Sequence, residues 1–207
     1  MTKNDPKNAL TASRRTLLKA LTVGAVSGTG SAIAANSNGS LTALSGEFGN
    51  QPIHLRRSAE GRRVSRFRYH NAEGFFLGLP RGIVQPLTDE LYQIGIVLQL
   101  GLSSHLLDIG FDDQWCARNI GLRVASSLAY ANATGLDLGA PEICLLAEIL
   151  SPYGKWRNAR QTEIISEFPF TRVEARSLTR ALLDRVREVT GHPRPRGWRK
   201  SAEAFAS

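Results

Sequence analysis

Apolar side chains recur every three to four positions in four segments after Pro86, and there the spacing predicts helices. The longest such run follows Pro86. Thr88 stands as an N-cap with Asp89 and Glu90 in the first turn, where carboxylates suit the helix dipole. Leu91, Ile94, Leu98, Leu102 and the pair His105 and Leu106 then repeat at threes and fours, while Ile96, Val97, Leu100 and Leu107 fill the other faces. A helix apolar nearly all round belongs at the centre of a core. A second helix is expected from Asp112 or Asp113 to Gly135, burying Cys116, Ile120, Val124, Leu128 and Ala131. Ala117, Gly121, Ala125 and Ala129 stand beside that face at four-residue spacing, a small-residue stripe that predicts close approach of a neighbouring helix. Pro141 opens a third helix through Leu150, and a fourth runs from about Thr171 to Thr190 with Leu178, Leu182, Val186 and Val189 inward.

Between Pro52 and Leu79 the period changes. Ile53 to Leu55, then Val64, Phe67 and Tyr69, then Phe75 to Leu77 are separated by polar turns near Ser58 to Gly61 and Asn71 to Gly74, which predicts short strands or a hairpin. On a strand Arg66 and Arg68 would share one face and Phe67 and Tyr69 the other. The expected fold is therefore mainly α, a small domain of about four helices over 53–190 with a short β-hairpin or extended subdomain at 53–79. Residues 35–52, rich in Gly, Ser and Asn, read as a linker, and 191–207 as a basic tail.

Charge changes this picture at the two ends. The formal charge of the 207 residues is +8. Residues 1–34 carry Lys3, Lys7, Arg14, Arg15 and Lys19 against Asp5, and 151–207 holds twelve basic residues against six acids, more than the remaining excess, so the middle of the chain is slightly acidic. A basicity spread in this way is no strong nucleic-acid signal.

The N-terminus explains half of it. From Ser13 the chain reads Ser-Arg-Arg-Thr-Leu-Leu-Lys, followed by an uncharged stretch from Ala20 to Ala35 that is diluted by Gly24, Gly28 and Gly30. That stretch is too weakly apolar to insert well as a membrane span. Residues 13–35 resemble a twin-arginine signal peptide, in which Arg14, Arg15, Leu17, Leu18 and Lys19 occupy the recognition positions, with Leu17 where Phe is commonest. Ala32 and Ala34 supply small residues at −3 and −1, which places cleavage after Ala34. The resemblance implies the twin-arginine translocase as a partner, export of a folded chain, and a periplasmic or secreted product.

The rest of the chain names no reaction. Nucleophile elbow, phosphate-binding loop, dinucleotide fingerprint and iron-sulfur cysteine run are absent from it, and neither a cofactor nor a metal site is expected. Cys116 and Cys144 fall on adjacent helices, either pairing as a disulfide or packing as buried thiols. His105 and Asp108 stand three apart on one helix, ahead of Asp112 and Asp113, a grouping open to two readings: a base with its orienting carboxylate, or a core histidine followed by helix-capping carboxylates. In the last helix Arg172, Arg176, Arg180 and Arg187 recur as a basic stripe expected to look outward and to bind a partner.

The leading expectation is a small exported non-enzymatic protein that binds a partner protein or an anionic envelope surface. The alternatives are an extracytoplasmic hydrolase using His105 with the nearby carboxylates, and a cytoplasmic basic nucleic-acid binder that keeps its N-terminus.

Overall fold

The structure is a computed structural model that describes residues 31–79, 85–158 and 168–195, apart from the side chains of residues 31–38 and 158. Among them are seven α-helices: α1 (Ser31–Phe48), α2 (Ala59–Leu77), α3 (Leu87–Ile109), α4 (Asp113–Asn119), α5 (Val124–Ala133), α6 (Pro141–Ile149) and α7 (Arg172–Thr190). A short 3-10 helix, Tyr153–Asn158, follows α6. No described residue lies in a strand, so the chain is mainly α. The recognition residues Arg14, Arg15, Leu17, Leu18 and Lys19 lie outside the described residues. Ala32 and Ala34 lie in the backbone of α1.

The apolar run of α3 takes the central place its pattern predicts. Leu91, Ile94, Val97, Leu98, Leu102, Leu106 and Leu107 are all buried, and α2, α5, α7 and the 3-10 helix pack around them. The helix begins one residue ahead of Thr88, with Pro86 at the N-cap, and Thr88 is buried. Gly110, in the left-handed region at φ 110°, ends it by donating to the carbonyls of Leu106 and Leu107. Close packing is permitted by glycine at two points. A Cβ on Gly95 would lie 2.3 Å from the Tyr153 Cβ, and one on Gly101 would lie 2.8 Å from a Leu183 methyl.

The expected β-hairpin at 53–79 is corrected: α2 is a 19-residue helix. Ser58 caps it by accepting from the Gly61 N–H at 2.9 Å. Ser65, Tyr69, Ala72, Glu73 and Phe76 form its buried face, at spacings of four, three, one and three. Two of those five are polar. The helical period was therefore masked, and the aromatic residues that suggested a strand, Phe67 and Phe75, are 64% and 50% exposed.

The second expected helix is broken in two, α4 and α5, and Gly121 is the reason. It sits at φ 59°, and both Ile120 and Gly121 donate to the Cys116 carbonyl. The buried set is as expected, for Cys116, Ile120, Val124, Leu128 and Ala131 are all in the core. The small-residue stripe is not: Ala117 is exposed, Ala125 and Ala129 are half-buried, and a Cβ on Gly121 would meet only the Ala117 carbonyl at 3.6 Å. Substitution of Gly121 is disfavoured by its backbone conformation and not by helix packing.

The linker expected at 35–52 is also largely helical. Leu41 and Ser45 of α1 are buried, and Leu44 and Phe48 pack against the core. Phe48 meets Tyr130 at 5.9 Å, within a cluster that includes Phe111 and Trp115.

Gly95→Ala should destabilise the protein by about 2–3 kcal/mol in urea unfolding, because the Tyr153 Cβ is fixed to its backbone and cannot retreat. Gly101→Ala should cost less, since its neighbour is the mobile end of a leucine side chain. Equal losses would show that the 3-10 helix yields as readily as a side chain.

Candidate functional site

The arginines of α7 are placed by a well-formed helix. Thr171 and Glu174 close a capping box at its start, and Gly191, at φ 68°, ends it. Ala175, Thr179, Leu182, Leu183 and Val186 fix the buried face. Arg172, Arg176 and Arg180 flank that face, and their guanidinium groups reach two carboxylates that the core has enclosed. Glu90 of α3, 1% exposed, accepts from Arg172 and from Arg176, each at 2.6 Å. Glu73 of α2, 0% exposed, is forked by Arg180 at 2.7 and 2.8 Å. Arg172 also donates to the Gln85 carbonyl at 2.7 Å. The expectation that these three arginines simply look outward is thus corrected: each is turned to an enclosed carboxylate. Arg187, seven residues beyond Arg180, is exposed as expected.

The Glu73 pair is the hub of a larger polar layer. Tyr69 donates to Glu73 at 2.5 Å, and burial together with this carboxylate pushes the phenol well above its ordinary range. Arg180 also reaches Asp184 at 3.0 Å and lies 5.0 Å from the centre of the Phe76 ring. Arg194, in the segment after α7, binds Asp184 and comes within 3.9 Å of Glu73. Next to Arg194 the chain is held again: His70 of α2 meets the Pro193 carbonyl at 2.9 Å, and His192 is buried against Ser65. The basic tail expected from 191 is therefore packed as far as Arg194, with Pro195 the last described residue.

Ser65, His192 and Asp108 form a grouping that the sequence does not reveal, because its members come from α2, the end of α3 and the tail. Its geometry argues against a nucleophilic serine. The Ser65 hydroxyl has one proton and lies 2.6 Å from the Ser104 carbonyl, which can only accept. When that proton is committed there, His192 Nε2, at 2.6 Å, must donate to Ser65. Asp108 approaches the same Nε2 at 3.9 Å, whereas a triad needs the carboxylate on the opposite ring nitrogen. Burial pulls the pKa of His192 down, against the pull of Asp108.

His105 and Asp108 have different hydrogen-bond and ion-pair partners, although the Asp108 charge still acts on His105 against the effect of burial. His105 is buried and faces Thr134, its Nε2 3.4 Å from the hydroxyl, while Asp108 faces Arg62 and His192. Burial pushes the His105 pKa down to about 4. Asp112 accepts from the Trp115 N–H as the cap of α4, and Asp113 pairs with Arg68 at 2.7 Å. The capping reading describes Asp112, while Asp113 stands in the first turn of α4. Cys116 and Cys144 are free thiols, so the disulfide alternative is not realised; burial pushes Cys116 up to about 12 and also raises Cys144. Among the described residues no group of three or more His, Cys, Asp or Glu is placed to hold a metal ion.

The outer face of α2 is the other site that sequence reasoning misplaces. Phe67 projects to solvent one turn from Arg63, itself 77% exposed and bonded to Glu60 at 2.6 and 2.9 Å. Arg66 flanks it, Arg56 and Arg57 precede the helix, and all three are exposed. Phe75 lies two turns beyond Phe67. The basic and aromatic character of this stretch is plain in the sequence, but a strand would bury Phe67 with Tyr69.

Fold and polar layer together define a mainly α-helical protein in which α7 is keyed to two buried glutamates. No family model, no curated protein and no solved structure matches the chain.

Arg180→Gln should lower unfolding free energy by on the order of 3 kcal/mol, since it leaves the Glu73 carboxylate enclosed without its fork, whereas Arg187→Gln should stay within about 0.5 kcal/mol. Chemical denaturation of the two variants decides the matter, and parity between them would return Arg180 to the surface.

Acid should weaken the fold through His105. With an ordinary value of 6.5 in the unfolded chain and about 4 when folded, the unfolded state binds more protons between these limits. This contribution to stability is complete above the ordinary value and is lost as pH falls toward the folded one, by at most about 1.4 kcal/mol per pH unit. Urea unfolding of His105→Gln at several pH values should show a shallower decline than the parent, with His192 supplying part of what remains.

Proposed function

We propose that this chain is a small exported, non-enzymatic binding protein that meets a partner protein or an anionic envelope surface through the outer face of α2. The observation that carries the reading is Phe67, 64% exposed at the middle of a well-formed helix, with Arg63 and Arg66 beside it. A large aromatic group at that position adds nothing to the core and is suited to contact with something outside it. The basic stripe of α7 has three of its four arginines engaged with Glu73 and Glu90, which favours α2 over α7 as the contact face.

Export rests on the twin-arginine pattern from Ser13 to Lys19. The non-enzymatic reading is supported by the Ser104 carbonyl at the Ser65 hydroxyl and by the burial of His105 against Thr134.

Two measurements test this. Arg14→Lys combined with Arg15→Lys should hold the full-length chain in the cytoplasm, read by fractionation, and normal export of the double variant would refute the address. A photocrosslinking side chain at Phe67 should give adducts in the exporting cell, while one at Val173, 73% exposed on α7, should give none. Equal yields at the two positions would leave α2 with no special role.

A further inference from the structure

We propose that the partner of the α2 face is the surface of an anionic lipid bilayer, an inference that rests on α2 being the contact face. The segment from Arg56 to Arg66 holds five arginines against one acid, Glu60; Arg63 is bonded to that acid and Arg62 lies 3.9 Å from Asp108, so the cationic excess rests on Arg56, Arg57 and Arg66. The next carboxylate along the chain, Glu73, is enclosed and neutralised by Arg180, so it does not oppose an anionic partner. Charge complementarity therefore points to phosphate or carboxylate groups on the other side of the contact.

The aromatic residues narrow the class. Phe67 and Phe75 are eight residues apart on one helix, which separates them by about 12 Å along its axis. Bases of a single strand stack on closely spaced rings along a cationic groove, whereas these two rings stand apart on a convex helix surface. A bilayer interface accepts such an arrangement: the rings enter the acyl boundary while the guanidinium groups stay at the level of the lipid phosphates. No helix among the described residues is long and apolar enough to cross a membrane, so the contact is one of lying on the surface.

The test is sedimentation of the full-length chain with vesicles of phosphatidylcholine containing about one third phosphatidylglycerol, at low salt and with phosphatidylcholine alone as control. The expected result is binding to the anionic vesicles only. Arg57→Gln with Arg66→Gln should weaken it about 25-fold, at roughly fivefold per arginine. Phe67→Ala with Phe75→Ala should weaken it about tenfold or more. Both variants should keep the circular dichroism and melting temperature of the parent, because all four side chains are exposed. Since the N-terminal signal is itself basic and apolar, vesicle binding that is unchanged in both variants overturns the proposal. Loss in the arginine variant alone also overturns it, as it would reveal a diffuse charge effect without entry of the rings. Should vesicles fail to bind while the crosslinker at Phe67 captures a protein, the lipid assignment falls and the contact face stands; failure of both removes both.

Discussion

Two carboxylates, Glu73 and Glu90, lie enclosed in this protein at 0% and 1% exposure, and an ionised carboxylate taken out of water is destabilising by several kcal/mol unless opposite charge meets it. The chain meets both from a single helix. Arg172 and Arg176 reach Glu90 on α3, and Arg180 reaches Glu73 on α2. Their spacing of four residues sets all three arginines along one side of α7, so that Glu90 is met twice and Glu73 once. Apolar packing acts beside this pairing, since Leu182 and Leu183 of α7 sit closely against Gly101 of α3.

The same layer fixes the segment after α7. Arg194 joins Asp184 and approaches Glu73, and His192 is seated between Ser65 and Asp108. With the Ser65 proton directed to the Ser104 carbonyl the imidazole is the donor, and the grouping joins the segment after α7 to α2 and α3. The outside of α2, by contrast, leaves Phe67, Phe75 and Arg66 exposed.

That outside face exists only because α2 is a helix. As a strand, the alternation from Arg66 to Tyr69 would have buried Phe67; as a helix, the same residues bury Tyr69 and Ser65 and turn Phe67 to solvent. The exposed aromatic side chain and the enclosed Glu73 are consequences of one choice of backbone, which ties the contact face to the ion-pair layer behind it.

The sequence by itself determined the mainly α class, the central place of α3, the bounds of α6 and α7, and the buried set from Cys116 to Ala131. In each, apolar residues repeat at helical spacing with a proline, glycine or capping residue at the ends, and such signals are local. The hairpin expected at 53–79 failed because the buried face of α2 includes Ser65 and Glu73, whose burial makes sense only beside Ser104 and Arg180 from distant parts of the chain. The break at Gly121 was hidden since a glycine at four-residue spacing reads equally as a packing stripe or a helix end. The direction of Arg172, Arg176 and Arg180 was settled by tertiary structure for the same reason: a charged residue faces solvent by default, and only an enclosed carboxylate brought in by another helix reverses that preference.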